Sequence, residues 1–364
     1  MARQSSGAGR AVDRRTFLRA AGGAAALAAG PLWAGRGEAQ AKPKNLVLSN
    51  WGGEWGNFVK ESVDAEFTKR HGIPVVHDPS ADNAARITKV KLNIAQGTYD
   101  LIHLADGFFA RAIDEGILEK LNYQSPHFTN IPDVDKGLQN PFWPAAIFNG
   151  MGLAYNPGMV KEPPASWADL WRPEYKGKIV LPGVNHSFGL YVLFYGALAA
   201  GKDWKDVDAG LEMLKRLTDQ RPVWSLDTPT IMKMFQREEA ALGWLGKAEV
   251  LTVQNWGGKT QFAFPKEGGI YVSWGWAITK GSKNVEWAER YINVTLDPQV
   301  QALFAKRWNY AGSNAKWAEQ AAPEIRKRIE WRPEELKRLI VLDHQWITRR
   351  RAELTEKWNK IVGA

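Results

Sequence analysis

From residue 45 onward, short apolar runs alternate with stretches of helical spacing, and Gly or Pro marks most of the boundaries. No other feature constrains the fold as much, because strands and helices alternating at these intervals build a sheet flanked by helices. Residues 45–49 read as a buried strand, stopped by Trp51-Gly52-Gly53. Residues 56–70 carry Phe58, Val63 and Phe67 at helical spacing, with Gly72 as C-cap and Pro74 as stop signal. A strand at 73–77, a helix at 82–96, a strand at 99–104 and a helix at 107–115 follow, the last ended by Gly116.

The pattern resumes after residue 165. Ser166 caps a helical turn, 178–181 is a strand and 187–200 an apolar helix. Helices at 206–218 and 228–238 precede a strand at 240–244, and Asp227 is the expected N-cap of the second helix. Residues 271–278 read as a strand crossing back, 283–296 and 298–306 as helices, and 322–364 as charged and helical by period. Between 141 and 155 the texture changes, with Pro141, Pro144 and then Gly150-Met-Gly-Leu-Ala-Tyr155, so a first crossover between lobes falls there. The expected division is 42–147 with 275–312 in one lobe and 148–274 with 313–364 in the other. Asn-Trp-Gly-Gly occurs at 50–53 and at 255–258, a coincidence rather than a repeat.

The first 41 residues read as a twin-arginine export signal, removed in the working protein. Asp13-Arg14-Arg15-Thr16-Phe17-Leu18-Arg19 leads into a weakly apolar run (20–29) and then Ala39-Gln40-Ala41. That run is too short and too rich in Gly and Ala to span a bilayer, which takes about 20 apolar residues. The segment carries six Arg against Asp13 and Glu38, so its removal lowers the net charge from +9 to +5. No concentrated basic face is left for nucleic acid. With no cysteine, the chain has no disulfide framework, thiolate metal site or lipid-anchor acceptor. A soluble, monomeric periplasmic protein is expected.

Catalytic patterns are missing. There is no His-Glu-x-x-His pair, Gly-x-Ser-x-Gly elbow or phosphate-cradling glycine loop, and the six histidines show no ligand spacing. No enzyme, cofactor or metal site is expected. Of the 18 tryptophans, 17 lie beyond the signal. Core packing rarely demands so many, since each buried indole N–H also needs a partner.

Residues 166–178, Ser-Trp-Ala-Asp-Leu-Trp-Arg-Pro-Glu-Tyr-Lys-Gly-Lys, resemble a segment of the periplasmic solute-binding proteins of ABC importers. The resemblance is strongest to the putrescine/spermidine-binding branch and its opine- and amino-acid-derivative-binding relatives. Asn50-Trp51, Tyr99-Asp100-Leu101 with Glu115-Gly116, and Pro265-Lys-Glu-Gly-Gly269 agree in order and spacing. The resemblance implies a two-lobed α/β type II binding-protein fold, a ligand cleft between the lobes and membrane permease subunits as partners.

Trp51 and Trp244 match positions where polyamine binders pack indoles on the ligand's alkyl chain, and Tyr310 matches a cleft tyrosine. Trp55 stands beside a region where the family often has Tyr, Trp274 and Trp276 lie at a crossover, and Glu54 and Asp106 are the candidate carboxylates of the strand-end loops. Where polyamine binders keep acids, this chain has 182–187, Pro-Gly-Val-Asn-His-Ser, and 272–276, Val-Ser-Trp-Gly-Trp. Asn185, His186 and Ser187 offer neutral or weakly basic groups instead, and Lys247 follows Trp244-Leu-Gly. An ammonium desolvated without a carboxylate costs several kcal/mol. The expected ligand therefore carries one cation, with or without one anion: an opine, amino-acid derivative or ω-amino acid rather than a polyamine. A ferric-ion carrier using Tyr191 and Tyr195, and an exported enzyme, are the alternatives.

Overall fold

A computed structural model describes residues 41–80 and 82–363, so the expected signal lies outside the described residues apart from Ala41. Eleven strands form one mixed sheet: β1 (Leu46–Asn50), β2 (Val75–Pro79), β3 (Leu101–Ala105), β4 (Gln139–Asn140), β5 (Trp143–Tyr155), β6 (Ile179–Pro182), β7 (Val223–Ser225), β8 (Leu242–Gly246), β9 (Gln261–Ala263), β10 (Ile270–Ile278) and β11 (Ala311–Gly312). The main order is β2-β1-β3-β10-β5-β8-β6-β7, with β4, β9 and β11 beside β5.

Two parallel sets, β1 with β2 and β3, and β6 with β7 and β8, are joined by the antiparallel β5 and β10. Their carboxyl ends converge. β3 ends at Ala105, opposite Trp274, which faces Ile147; β8 ends at Gly246, opposite Met151. Four residues of β5 separate the two ends, roughly 13 Å at the rise of an extended strand. Open α/β sheets bind ligands beyond such ends.

Local chemistry sets the helix ends. Asp82, Asp206, Asp227 and Asp343 each accept a backbone N–H of the first turn that follows, and Ser166 with Asp169 forms a capping box. Gly72 closes its helix at φ +64°, the left-handed cap glycine adopts without strain. The helix expected at 56–70 starts earlier, as Gly53–Val59, loosens into a π turn at Lys60–Asp64 and ends as Ala65–His71.

Other boundaries differ too. The apolar helix is Tyr191–Ala199, because Gly183 to Leu190 makes tight turns that use the backbone bonds a helix would need. The region 322–364 is not one helical stretch. It holds Pro323–Ile329 and Pro333–Leu336, then an extended piece whose Ile340 pairs with Ile270, then the long helix His344–Val362. That last helix packs on Asp106–Asp114 and also on Val207–Thr218, so it spans the two strand sets.

Candidate functional site

The loops and helix starts that follow the converging ends are held by the strands themselves. Asp106 opens the helix after β3. One carboxylate oxygen accepts the Ser273 N–H of β10 at 2.9 Å, and the other lies 3.5 Å from His344 Nε2. The β10–β5 register slips between Trp274 and Gly275, beside this bond. A cavity of about 450 Å³ opens at this point, walled by Asp106, Tyr271, Ser273, Trp143, Asp343 and His344 among others. Its size is that of a small-molecule site. The Tyr271 hydroxyl on its wall is buried without a well-formed hydrogen bond. Asp343 is committed, capping Trp346 N–H and pairing with Lys205 at 3.1 Å.

On the β8 side, Trp244 is almost fully buried and donates its indole N–H to the Tyr195 hydroxyl, which in turn stacks on Trp167. Phe188 and His186 lie against the Trp244 ring at centroid distances of 5.3 and 5.7 Å. His186 Nδ1 accepts the Phe188 N–H at 3.0 Å and Nε2 lies 3.2 Å from the Thr228 hydroxyl. Burial pushes its pKa down to about 4, against the opposing pull of Asp227, so the ring is neutral. Asn185 and Ser187 on the same turn are exposed. Tyr191, one turn further, feels Asp106 and Arg351 through space in opposite senses, and burial holds its phenol well above the ordinary value.

At the crossing strands, Trp274 stacks near Tyr310 at 4.8 Å, and the Tyr310 hydroxyl donates to Glu249 at 3.0 Å. Asn149 of β5 donates to the other Glu249 oxygen at 2.7 Å. Burial raises the Glu249 pKa toward the uncharged form. The sequence reading placed no acid here; Glu249 arrives from the helix Lys247–Asn255, outside the two stretches compared.

Several expected residues sit elsewhere. Glu54 is exposed on the outside of its helix and pairs with Arg307 at 3.0 Å, away from Asp106. Trp55 and Trp276 are interior residues, packed with His103, Phe304 and Trp308, so no ligand reaches them in this conformation. Among the described residues Lys247 pairs with no carboxylate within 4 Å: its ammonium donates to the Glu330 carbonyl at 2.8 Å and lies 4.8 Å from the Trp331 ring. Trp51 is partly exposed at the end of β1, in T-shaped contact with Trp55 and His103 and with the Arg86 guanidinium 5.0 Å from its centroid. Arg86, Glu249, Tyr271 and His344 went unread in the sequence. Arg86 alone left a signal, as a charge in the buried register of Asn83, Ile87 and Val90.

Residues 62–330 match the family model described as bacterial extracellular solute-binding protein. The spermidine/putrescine-binding periplasmic protein of Escherichia coli (strain K12) is 28% identical over 312 residues, 82% of this chain and 86% of the relative. The gamma-aminobutyric acid-binding protein of Pseudomonas aeruginosa is 22% identical over 88% of this chain and 92% of its own length. The crystal structure of an ABC transporter from Clostridium perfringens aligns with TM-score 0.75 and 26% identity, over 87% of this chain and all of that one.

Proposed function

We propose, from the chain's membership of the bacterial extracellular solute-binding protein family, that it captures a small amine-bearing zwitterion in the periplasm for an ABC importer. Family membership makes it a solute-binding protein rather than an enzyme. The ligand is an opine, an amino-acid derivative or an ω-amino acid, held between the two strand sets. Ligand contacts on both sides favour a closed form that the permease subunits recognise. The protein works as a monomer, and its first 41 residues are an export signal of the twin-arginine type.

Asp106 carries the reading. Of the two carboxylates lining the cavity, Asp343 is bound to Lys205, while Asp106, among the described residues, faces the His344 ring, two backbone N–H donors and the Ser273 hydroxyl, with no Lys or Arg partner. It suits one ligand ammonium. Glu249 is held by Tyr310 and Asn149 and biased toward its neutral form, so a second ammonium finds no equal partner.

Relatives named for polyamines and for gamma-aminobutyric acid bracket this choice. The ferric alternative finds no support, since the Tyr195 hydroxyl is tied to Trp244 inside the core. Calorimetry with ω-amino acids, opines and spermidine tests the proposal. Zwitterions should bind, and Asp106→Asn should weaken them at least tenfold, the scale of one charge-assisted hydrogen bond. Tight spermidine binding with no heat from any zwitterion would overturn it.

A further inference from the structure

We propose that Arg86 sets the charge of the ligand end that reaches Trp51, so that this end of the cleft selects an anionic or neutral group and rejects an ammonium. The inference rests on the zwitterion reading above and on Trp51, at the end of β1, lining the cleft as the resemblance implies.

Arg86 belongs to the helix Asn83–Leu92 and has no exposed surface. Among the described residues its hydrogen bonds all go to neutral acceptors. Nε donates to the His103 carbonyl at 3.1 Å, Nη1 to the Ser80 carbonyl at 3.2 Å and Nη2 to the Asn83 side chain. Among the described residues no carboxylate lies within 4 Å; Asp82 acts on it through space from the exposed helix start. Buried arginines are ordinarily paired with an acid. Burial lowers the Arg86 pKa to about 9, which leaves it protonated at neutral pH.

The guanidinium carbon lies 5.0 Å from the Trp51 ring centroid, so the protein fills one face of this indole with its own cation. His103, in edge contact with the same ring, adds no charge: burial, and then the Arg86 charge, push its pKa well below the ordinary value. A ligand ammonium over the Trp51 ring on the side away from Arg86 would sit about 8 Å from the guanidinium. At the effective dielectric of protein sites, like charges at that distance cost roughly thirtyfold in affinity, and a carboxylate gains as much. One residue from a neighbouring helix therefore sets the charge preference at this indole.

Matched probes isolate the effect: γ-aminobutyrate against putrescine, and 5-aminovalerate against cadaverine, each pair differing in the charge of one end. Dissociation constants are measured by calorimetry for the wild type, Arg86→Met and Asp82→Asn. Arg86→Met should shift the preference at least tenfold toward the diamine. Asp82→Asn, exposed and still able to cap its helix, should shift it about twofold the other way, which keeps a test in hand if Arg86→Met does not fold. An unchanged ratio in every folded variant overturns the role of Arg86 and leaves the zwitterion reading standing. A wild type that prefers diamines, with Arg86→Met pushed further toward them, overturns the zwitterion reading and keeps Arg86. A wild type that responds to neither series overturns both.

Discussion

His186 shows how a single ring ties the site to the stability of the chain. Its Nδ1 must stay unprotonated to accept the Phe188 N–H, and its edge supports Trp244. The folded pKa of about 4 lies below the ordinary 6.5, so between those values the unfolded chain binds more protons than the folded one. The stabilisation is thus complete above pH 6.5 and is lost as pH falls toward 4, by about 3 kcal/mol at about 1.4 kcal/mol per pH unit. Urea titrations of the wild type from pH 7 to pH 4 should show that fall, and His186→Gln should flatten it. Equal slopes for both proteins would remove His186 as the cause. Trp51 and Asp106 could be singled out as candidates because each directly follows a strand end, where sequence order and spatial order agree. Glu249 and His344 were not, because each reaches the junction from a helix start whose direction no local pattern encodes.

Elements were legible where one periodicity ruled them. The helix Val207–Thr218 and the strand Ile270–Ile278 fall within a residue of their expected spans. β5 was read only as a change of texture, because Pro144, Gly150 and Gly152 weaken a strand pattern; tertiary pairing with β10 and β8 decides it. The π turn at Lys60–Asp64 has no sequence mark either. It puts Asp64 within 2.7 Å of both His77 and Tyr291, a buried set joining three elements.

Gly150 belongs to this scale, since its bare α-carbon is where the segment after residue 330 lies on β5. A Cβ there would stand 2.4 Å from the Trp331 ring and 2.8 Å from Leu339. The indole is buried against Phe262 and Phe264 and has nowhere to yield. Gly150→Ala should cost about 1–3 kcal/mol by overpacking, read from chemical denaturation. A loss under about 0.5 kcal/mol, the ordinary surface range, would mean that the segment lifts freely from the sheet.

At the scale of the whole molecule, sequence motifs gave the architecture and missed one connection. Residues 313–364 were expected to belong to the second lobe, yet His344 touches Asp106 while Trp346 packs on Trp204, and Trp358 on Trp224. The C-terminal helix therefore bridges both strand sets along with β5 and β10. Three connections couple the halves, so a ligand at the junction should stabilise them together. At one hundred times its dissociation constant a ligand adds about 2.7 kcal/mol. With an unfolding entropy of about 2.1 cal/mol/K per residue, a chain of this length should rise by about 4 °C in Tm. Differential scanning calorimetry should show one transition moving by that amount. Two transitions, only one of them shifted by ligand, would confine the site to one half and separate the C-terminal helix from the coupling.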